Sequence, residues 1–365
     1  MIMRKILRNA TPPGSPESAD SRLAYRVFKQ DSPNLDLLRA FAVLLVLFDH
    51  FGTAVAPTVK HHSGFGNFGV LLFFIHTSLV LMLSLERMRR ADGSVPFRDF
   101  YVRRFFRIYP LSVFTVLCVV IFGFIGPWRS SVLTAPEIWA NLSLTMNFFP
   151  WVRFAINPLW SLPYEVDMYI LLPVLFLFAV RFKSAWATFS LMLACAAFAL
   201  VQPHYSWFRS LDLIEYVGCF LPGIVAYQLS SRPRHRWPAW LWPIFLVLWS
   251  ILFVGMNALH PNPRFLLRWP FCSVVGLVMP QFLQIPNGLI RRGAATIAKY
   301  SYGIYLTHTF ALHISFVLMA AYLFLLRMGA FSAMMLAFPF AAYYLIEKPG
   351  IDLGKRLLAP SRPTQ

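Results

Sequence analysis

Arg39 and His50 are the first pair in this chain whose types and spacing carry chemical meaning, because both fall inside the apolar stretch Leu35–Pro57, LDLLRAFAVLLVLFDHFGTAVAP. An ionisable side chain in such a stretch costs a few kcal/mol unless it faces a protein interior or a wet cavity, so it marks a site by default. The two are eleven residues apart. At ~100° and ~1.5 Å per residue they sit within ~20° of one another on a helix and ~16 Å apart along its axis. They line a path with a fixed cation at one depth and a proton-accepting imidazole at the other. Asp36 and Asp49 lie on the same stretch.

A second group is PLWSLPYEVDMYI, which places Glu165 and Asp167 at the start of another apolar run. Two carboxylates there are poorly explained as packing, and Glu165 is suited to orient an imidazole and support its protonated form. A third is FRDFYVRRFFRIYP, residues 97–110, where Arg98, Arg103, Arg104 and Arg107 alternate with aromatics. Such a segment suits an interfacial helix that snorkels its arginines to anionic lipid. It equally suits an anion site, since Arg103 and Arg107 are one turn apart with Arg104 flanking, and guanidinium forks match phosphate oxygens.

SYGIYLTHTFALH places Tyr302, Tyr305 and His308 on one helix, with Tyr305 and His308 on a shared face that would line a substrate cavity or hydrogen-bond between helices. His76 and Thr77 fall mid-way along FGVLLFFIHTSLVLMLSLER, as site residues or as groups bonding a backbone carbonyl. Glu347 and Lys348 stand where the last apolar run ends and read as an anchor for that helix end.

The elements that must position these residues are membrane helices. Of 365 residues, 58% are hydrophobic, and the mean hydropathy is +0.59. This defines an all-α polytopic membrane protein. Hydropathy expects about ten transmembrane helices, near 35–57, 68–85, 107–126, 158–180, 185–202, 210–229, 238–257, 267–284, 301–322 and 329–347. With both termini cytosolic, the inside segments hold 25 Lys and Arg and the outside segments 7, with Arg39 inside the first span. That asymmetry follows the positive-inside rule. The net charge of +18 thus records topology, and a nucleic-acid partner is not expected, because the bases are spread over many membrane-adjacent loops.

Residues 1–34 are polar and read as a disordered cytosolic tail without a signal-peptide pattern, 35–347 as the membrane domain, and 348–365 as a cytosolic C-terminal tail. Cys118, Cys195, Cys219 and Cys272 all lie in apolar runs without metal-ligand or disulfide spacing and are expected to pack. The outside segment 127–157 carries Trp139, Phe148, Phe149 and Trp151 and is expected to lie partly in the interface.

With LDLLRAFAVLLVLFDH, RRFFRIYP, LWSLPYE, SYGIYLTH and a closing Glu-Lys-Pro in this order, the chain resembles the membrane acyltransferase family 3 from about residue 33 to 356. The resemblance implies an O-acyltransferase, most simply an O-acetyltransferase. It would move an acyl group from acyl-CoA, acetyl-CoA above all, to a hydroxyl of a carbohydrate or lipid-linked sugar such as an exopolysaccharide or lipopolysaccharide. It makes His50 the catalytic histidine and Glu165 the acid of the Trp-Ser-Leu-x-x-Glu motif. It matches Arg39, Arg104 and Arg107 to the arginines that handle acyl-CoA, with Arg103 beside them. Trp160, Asp167, Tyr305 and His308 are the expected acceptor-facing residues.

The chain departs from the family pattern at Leu71, where an acid is usual, and at Thr77-Ser78, where Ser-Gly is usual. It is expected to be the stand-alone form without a soluble esterase-like domain, in the bacterial inner membrane, with membrane lipid as a further partner and no bound metal. The rival reading is a proton-coupled secondary transporter with His50, Glu165 and Asp167 as relay and the arginines as gate. A weaker third is a lipid-binding structural protein. The arginines gather on one side of the membrane, which favours a docking site over an alternating-access path.

Overall fold

A computed structural model describes residues 32–56, 64–125, 133–201, 213–230, 236–259 and 264–358. The expected N-terminal tail lies almost wholly outside these residues. Twelve α-helices run through the described residues. They are α1 (Pro33–Val55), α2 (Phe65–Met88), α3 (Phe97–Ile125), α4 (Ala135–Ser143), α5 (Leu162–Arg181), α6 (Ala185–Val201), α7 (Leu213–Leu229), α8 (Leu241–Leu259), α9 (Arg264–Val278), α10 (Leu289–His313), α11 (Phe324–Ala342) and α12 (Lys348–Leu358). Each of the ten expected spans overlaps one of these helices. Six stretches are long and apolar enough to cross a membrane by length and composition: Pro33–Val55, Phe65–Met88, Phe97–Gly123, Asn157–Arg181, Leu241–Leu259 and Phe324–Leu358. The protein is an all-α, multi-pass integral membrane protein.

The boundaries move where local chemistry overrides hydropathy. α9 stops at Val278 and tightens into a 3₁₀ turn at Met279–Gln281, because Pro280 cannot continue the helix. α10 begins at Leu289, well before the expected 301, since helical periodicity runs on through Arg291, Arg292 and Lys299 into the apolar part. Residues 348–358 of the expected tail form α12.

The helices divide into two compact units. The first holds α1, α2, nearly all of α5, α6 to α9 and the start of α10. Its centre is α2, apolar on all sides and buried along most of its length, as such a helix must be. α7 packs on α2, α6 and α9. The α2–α7 approach is so close that a Cβ on Gly223 would stand 2.3 Å from the Ile75 carbonyl oxygen. Ser78 uses that closeness to donate to the Phe220 carbonyl at 2.6 Å. The start of α1 is held by Asn34, fully buried, which donates to the Leu283 carbonyl at 3.1 Å and accepts from the Ile285 amide at 3.0 Å.

The second unit holds α3, α4, the 3₁₀ turn Asn157–Ser161, the end of α10, α11 and α12. α12 lies along α3, with Gly354 against Phe106, where a Cβ would be 2.9 Å from the Phe106 Cβ. Between α11 and α12 the chain widens into a π turn, Tyr343–Glu347. Cys219 and Cys272 are buried and Cys118 and Cys195 half-buried, all as free thiols.

Candidate active site

In the first unit, α1 is one unbroken helix from Pro33 to Val55, so Arg39 and His50 keep the spacing inferred from sequence. Both side chains are half-buried. α1 meets α2 closely at Asp49, where a Cβ on Gly66 would lie 2.7 Å from the carboxylate. Further along α2, His76 is buried and lies within the electrostatic reach of Arg39. Beside it, Thr77 donates its hydroxyl to Glu165 Oε1 at 3.4 Å, and Tyr169, one turn along α5, donates to Glu165 Oε2 at 3.3 Å. Both oxygens of the half-buried Glu165 are thus held by hydroxyls. Thr77 stands where the resembling family has another residue, and Tyr169 drew no attention in the sequence. The signal for Tyr169 was its spacing of four from Glu165.

In the second unit the arginines of α3 have distinct surroundings. Arg103 is exposed, and Arg104 is half-buried with its guanidinium 6.0 Å from the centre of the Phe100 ring. Arg107 Nη1 is 2.5 Å from Oε2 of Glu347, whose side chain is fully buried. A buried carboxylate needs a partner of this kind, because leaving it unpaired costs several kcal/mol. Glu347 therefore does more than anchor a helix end, since it fixes the guanidinium of Arg107. Next to this pair, Tyr302 donates to the Ile108 carbonyl at 2.8 Å and ties α10 to α3.

Towards the other end of the same unit, the Tyr305 hydroxyl donates to the Pro158 carbonyl at 2.9 Å and shares a 2.7 Å bond with Ser161. His308 is buried and places Nδ1 3.0 Å from the Ile304 carbonyl one turn back. Tyr305 and His308 do share a face, with ring centres 6.4 Å apart. Trp160 and Asp167 are half-buried, on the 3₁₀ turn of this unit and on α5 of the first.

A clasp outside the spans completes this end. Arg153 meets the buried Glu137 through Nε at 2.7 Å and Nη2 at 2.9 Å, and the Thr134 amide and hydroxyl close a capping box on Glu137 at 2.8 and 2.9 Å. The Arg153 guanidinium and the Thr134 amide hold the Glu137 carboxyl well below the usual carboxylate range. Asn141, fully buried, donates to the Arg153 carbonyl and accepts from the Ala155 amide, both at 2.8 Å. No local sequence signal announces this clasp, whose partners are sixteen residues apart across an irregular segment.

The membrane helices of the two units thus carry a histidine, carboxylates and a guanidinium cluster, and comparison with known proteins gives the class. An acyltransferase domain family model matches residues 32–344, and the chain belongs to this family, the acyltransferase 3 family. It is an acyltransferase. It is 26% identical over 318 residues to Nodulation protein 10 of Rhizobium leguminosarum bv. viciae, covering 77% of this chain and 83% of that one. It is 27% identical over 314 residues to the "Putative peptidoglycan O-acetyltransferase YrhL" of Bacillus subtilis (strain 168), covering 76% and 48%. Over 164 residues it is 30% identical to the O-acetyltransferase OatA of Staphylococcus aureus (strain NCTC 8325 / PS 47), covering 41% and 26%. The chain thus spans about half the length of the Bacillus relative and about a quarter of the staphylococcal one. No solved structure matches it.

Proposed function

We propose that this acyltransferase moves an acetyl group from acetyl-CoA to a hydroxyl of a carbohydrate or lipid-linked sugar, with His50 as general base. The observation that carries the reading is the continuity of α1, which keeps Arg39 and His50 on one face at the span of a long flexible thioester arm. A sugar hydroxyl is a weak nucleophile at neutral pH, and a positioned imidazole contributes ~10²–10⁴-fold by taking its proton as the new bond forms. The hydroxyl oxygen bonds to the acyl carbon and His50 receives the proton. As the tetrahedral centre collapses, the carbon–sulfur bond breaks and the thiolate leaves, taking the proton from the imidazolium. Transfer is direct, without a covalent enzyme intermediate.

Glu165 supports the imidazolium, and its two hydroxyl partners, Thr77 and Tyr169, hold it in place. Arg104 and Arg107, with Arg103 next to them on the same helix, receive the phosphates of the donor, and Glu347 positions Arg107 for this. The proposed orientation has both termini in the cytosol, from the 25-to-7 division of basic residues, in a bacterial inner membrane. Acetyl-CoA consumption by the full chain in membrane vesicles, with and without added peptidoglycan or polysaccharide, tests this. Acceptor-dependent release of free CoA is expected, and its absence with every acceptor and acyl-CoA tried would sink the reading.

A further inference from the structure

Val119 of α3, Ala155, Ile156 and Asn157 at the entry to the 3₁₀ turn, and Thr309, Phe310 and His313 of α10 line a partly open cavity of about 240 Å³ within the second unit. Its chemistry differs from that of the arginine cluster. Arg107 and Val119 are twelve residues apart on one helix, which separates the two regions by ~18 Å. Among the described residues no carboxylate, lysine or arginine lines the cavity, so its lining carries no fixed charge to favour a phosphate or a cation.

Its lining carries one phenyl ring, Phe310, aliphatic side chains, and an amide, a hydroxyl and an imidazole as hydrogen-bonding groups. Thr307 and Thr309 on the same helix show which of these is unused. Thr307 donates back to the Gly303 carbonyl at 2.8 Å, as helical threonines commonly do. The Thr309 oxygen is buried yet meets no hydrogen-bond partner among the described residues. A buried polar atom left unmatched calls for a ligand or water to explain it.

The cavity lies just below the ~300–1,000 Å³ typical of sites for drug-sized ligands, which suits a single small ring. A lining that combines apolar groups and a phenyl ring with three hydrogen-bonding side chains suits a neutral pyranose, whose C–H face is apolar and whose rim carries hydroxyls. The loop that forms one wall is not loose. Ala155 is held through its amide by Asn141, and Arg153 by Glu137, so the clasp fixes this rim.

We propose that this cavity receives one neutral sugar ring of the acceptor, with Phe310 stacking on it and Asn157, Thr309 and His313 bonding its hydroxyls. The proposal rests on the reading of the chain as a transferase to a carbohydrate hydroxyl and adds where that carbohydrate is gripped.

The test is saturation-transfer NMR on the full chain in lipid nanodiscs without acyl donor. The probes are methyl β-D-glucopyranoside, methyl β-D-galactopyranoside and methyl N-acetyl-β-D-glucosaminide. Acetyl-CoA binding to the same samples is measured by titration calorimetry. At least one sugar should receive saturation from wild type, and Asn157→Ala and Phe310→Ala should each weaken its binding about tenfold, the scale of one to two lost contacts. Val119→Phe, which fills the cavity, should remove it. Acetyl-CoA binding should persist in all three variants, which shows that they remain folded. Sugar binding unchanged in Phe310→Ala and Val119→Phe would overturn the assignment, and so would the absence of signal from all three sugars in wild type. Failure of wild type to bind acetyl-CoA would instead count against the donor reading, while the sugar arm still decides this one.

Discussion

The two units meet their acids with different groups. In the first, Glu165 is held by the hydroxyls of Thr77 and Tyr169, and the buried Glu86 by the Tyr227 hydroxyl at 2.8 Å. Its Glu215–Arg268 contact is a loose 3.8 Å with both partners partly exposed. In the second, Glu137 and Glu347 are gripped by Arg153 and Arg107 at 2.7 and 2.5 Å. A guanidinium locks an acid into its charged form and into one geometry, whereas neutral hydroxyls position it and leave its charge to answer other groups. In the proposed mechanism the first unit supplies the base that takes a proton, and the second supplies the fixed charges that meet the donor.

The most severe way to break this division is His50→Ala. It should lower acyl transfer by ~10²–10⁴-fold at equal membrane expression. Substantial residual activity would take the role of base away from His50 and make His308 or His76 the next candidate.

Next come the fixed charges. Replacing Arg104 and Arg107 together with Ala should raise the acetyl-CoA concentration needed for half-maximal rate, each lost charge-assisted bond being worth ~1.5–3 kcal/mol. Lys at both positions should restore only part of it, because an ammonium cannot form the bidentate fork. If the double variant kept the wild-type concentration dependence, the cluster would belong to lipid anchoring.

Glu347→Ala asks whether Arg107 needs its partner. It should raise the same acetyl-CoA requirement by less than Arg107→Ala does, and lower the detergent-state Tm, since it empties a buried ion pair. An unchanged donor requirement would leave Glu347 a purely structural residue.

Glu165→Gln should be milder than loss of the histidine, since it keeps the hydrogen-bonding shape and removes only the charge. It should lower kcat with little change in the donor requirement, and Thr77→Val and Tyr169→Phe should show the same pattern more weakly. A change confined to the donor requirement would contradict the comparison.

The smallest effect concerns Glu137, whose depressed carboxyl stabilises the clasp above the ordinary carboxylate pKa of ~4.3. That contribution fades only as pH falls through its lower folded value. The Thr134 and Ala155 amides should therefore stay protected from hydrogen exchange down to mildly acidic pH in wild type. In Glu137→Gln they should exchange faster at every pH, and equal protection would mean the clasp is not the element that holds this loop.

Helix type, the apolar stretches and the identity of the ionisable residues inside them were determined by sequence alone. Hydropathy and helical period are local properties, and a charge in an apolar run announces itself wherever the helix packs. The Arg39–His50 relation was legible for the same reason, since a single helix sets both its angle and its rise. Glu347 with Arg107, Thr77 with Glu165, and Glu137 with Arg153 were not. These partners lie 240, 88 and 16 residues apart, and nothing in either segment specifies the other. The cavity beside Phe310 was equally invisible, because a void is the space that packed elements leave behind. Only tertiary structure decided which acid met a hydroxyl and which met a guanidinium, because that choice depends on which helix faces lie together once the apolar surface is buried.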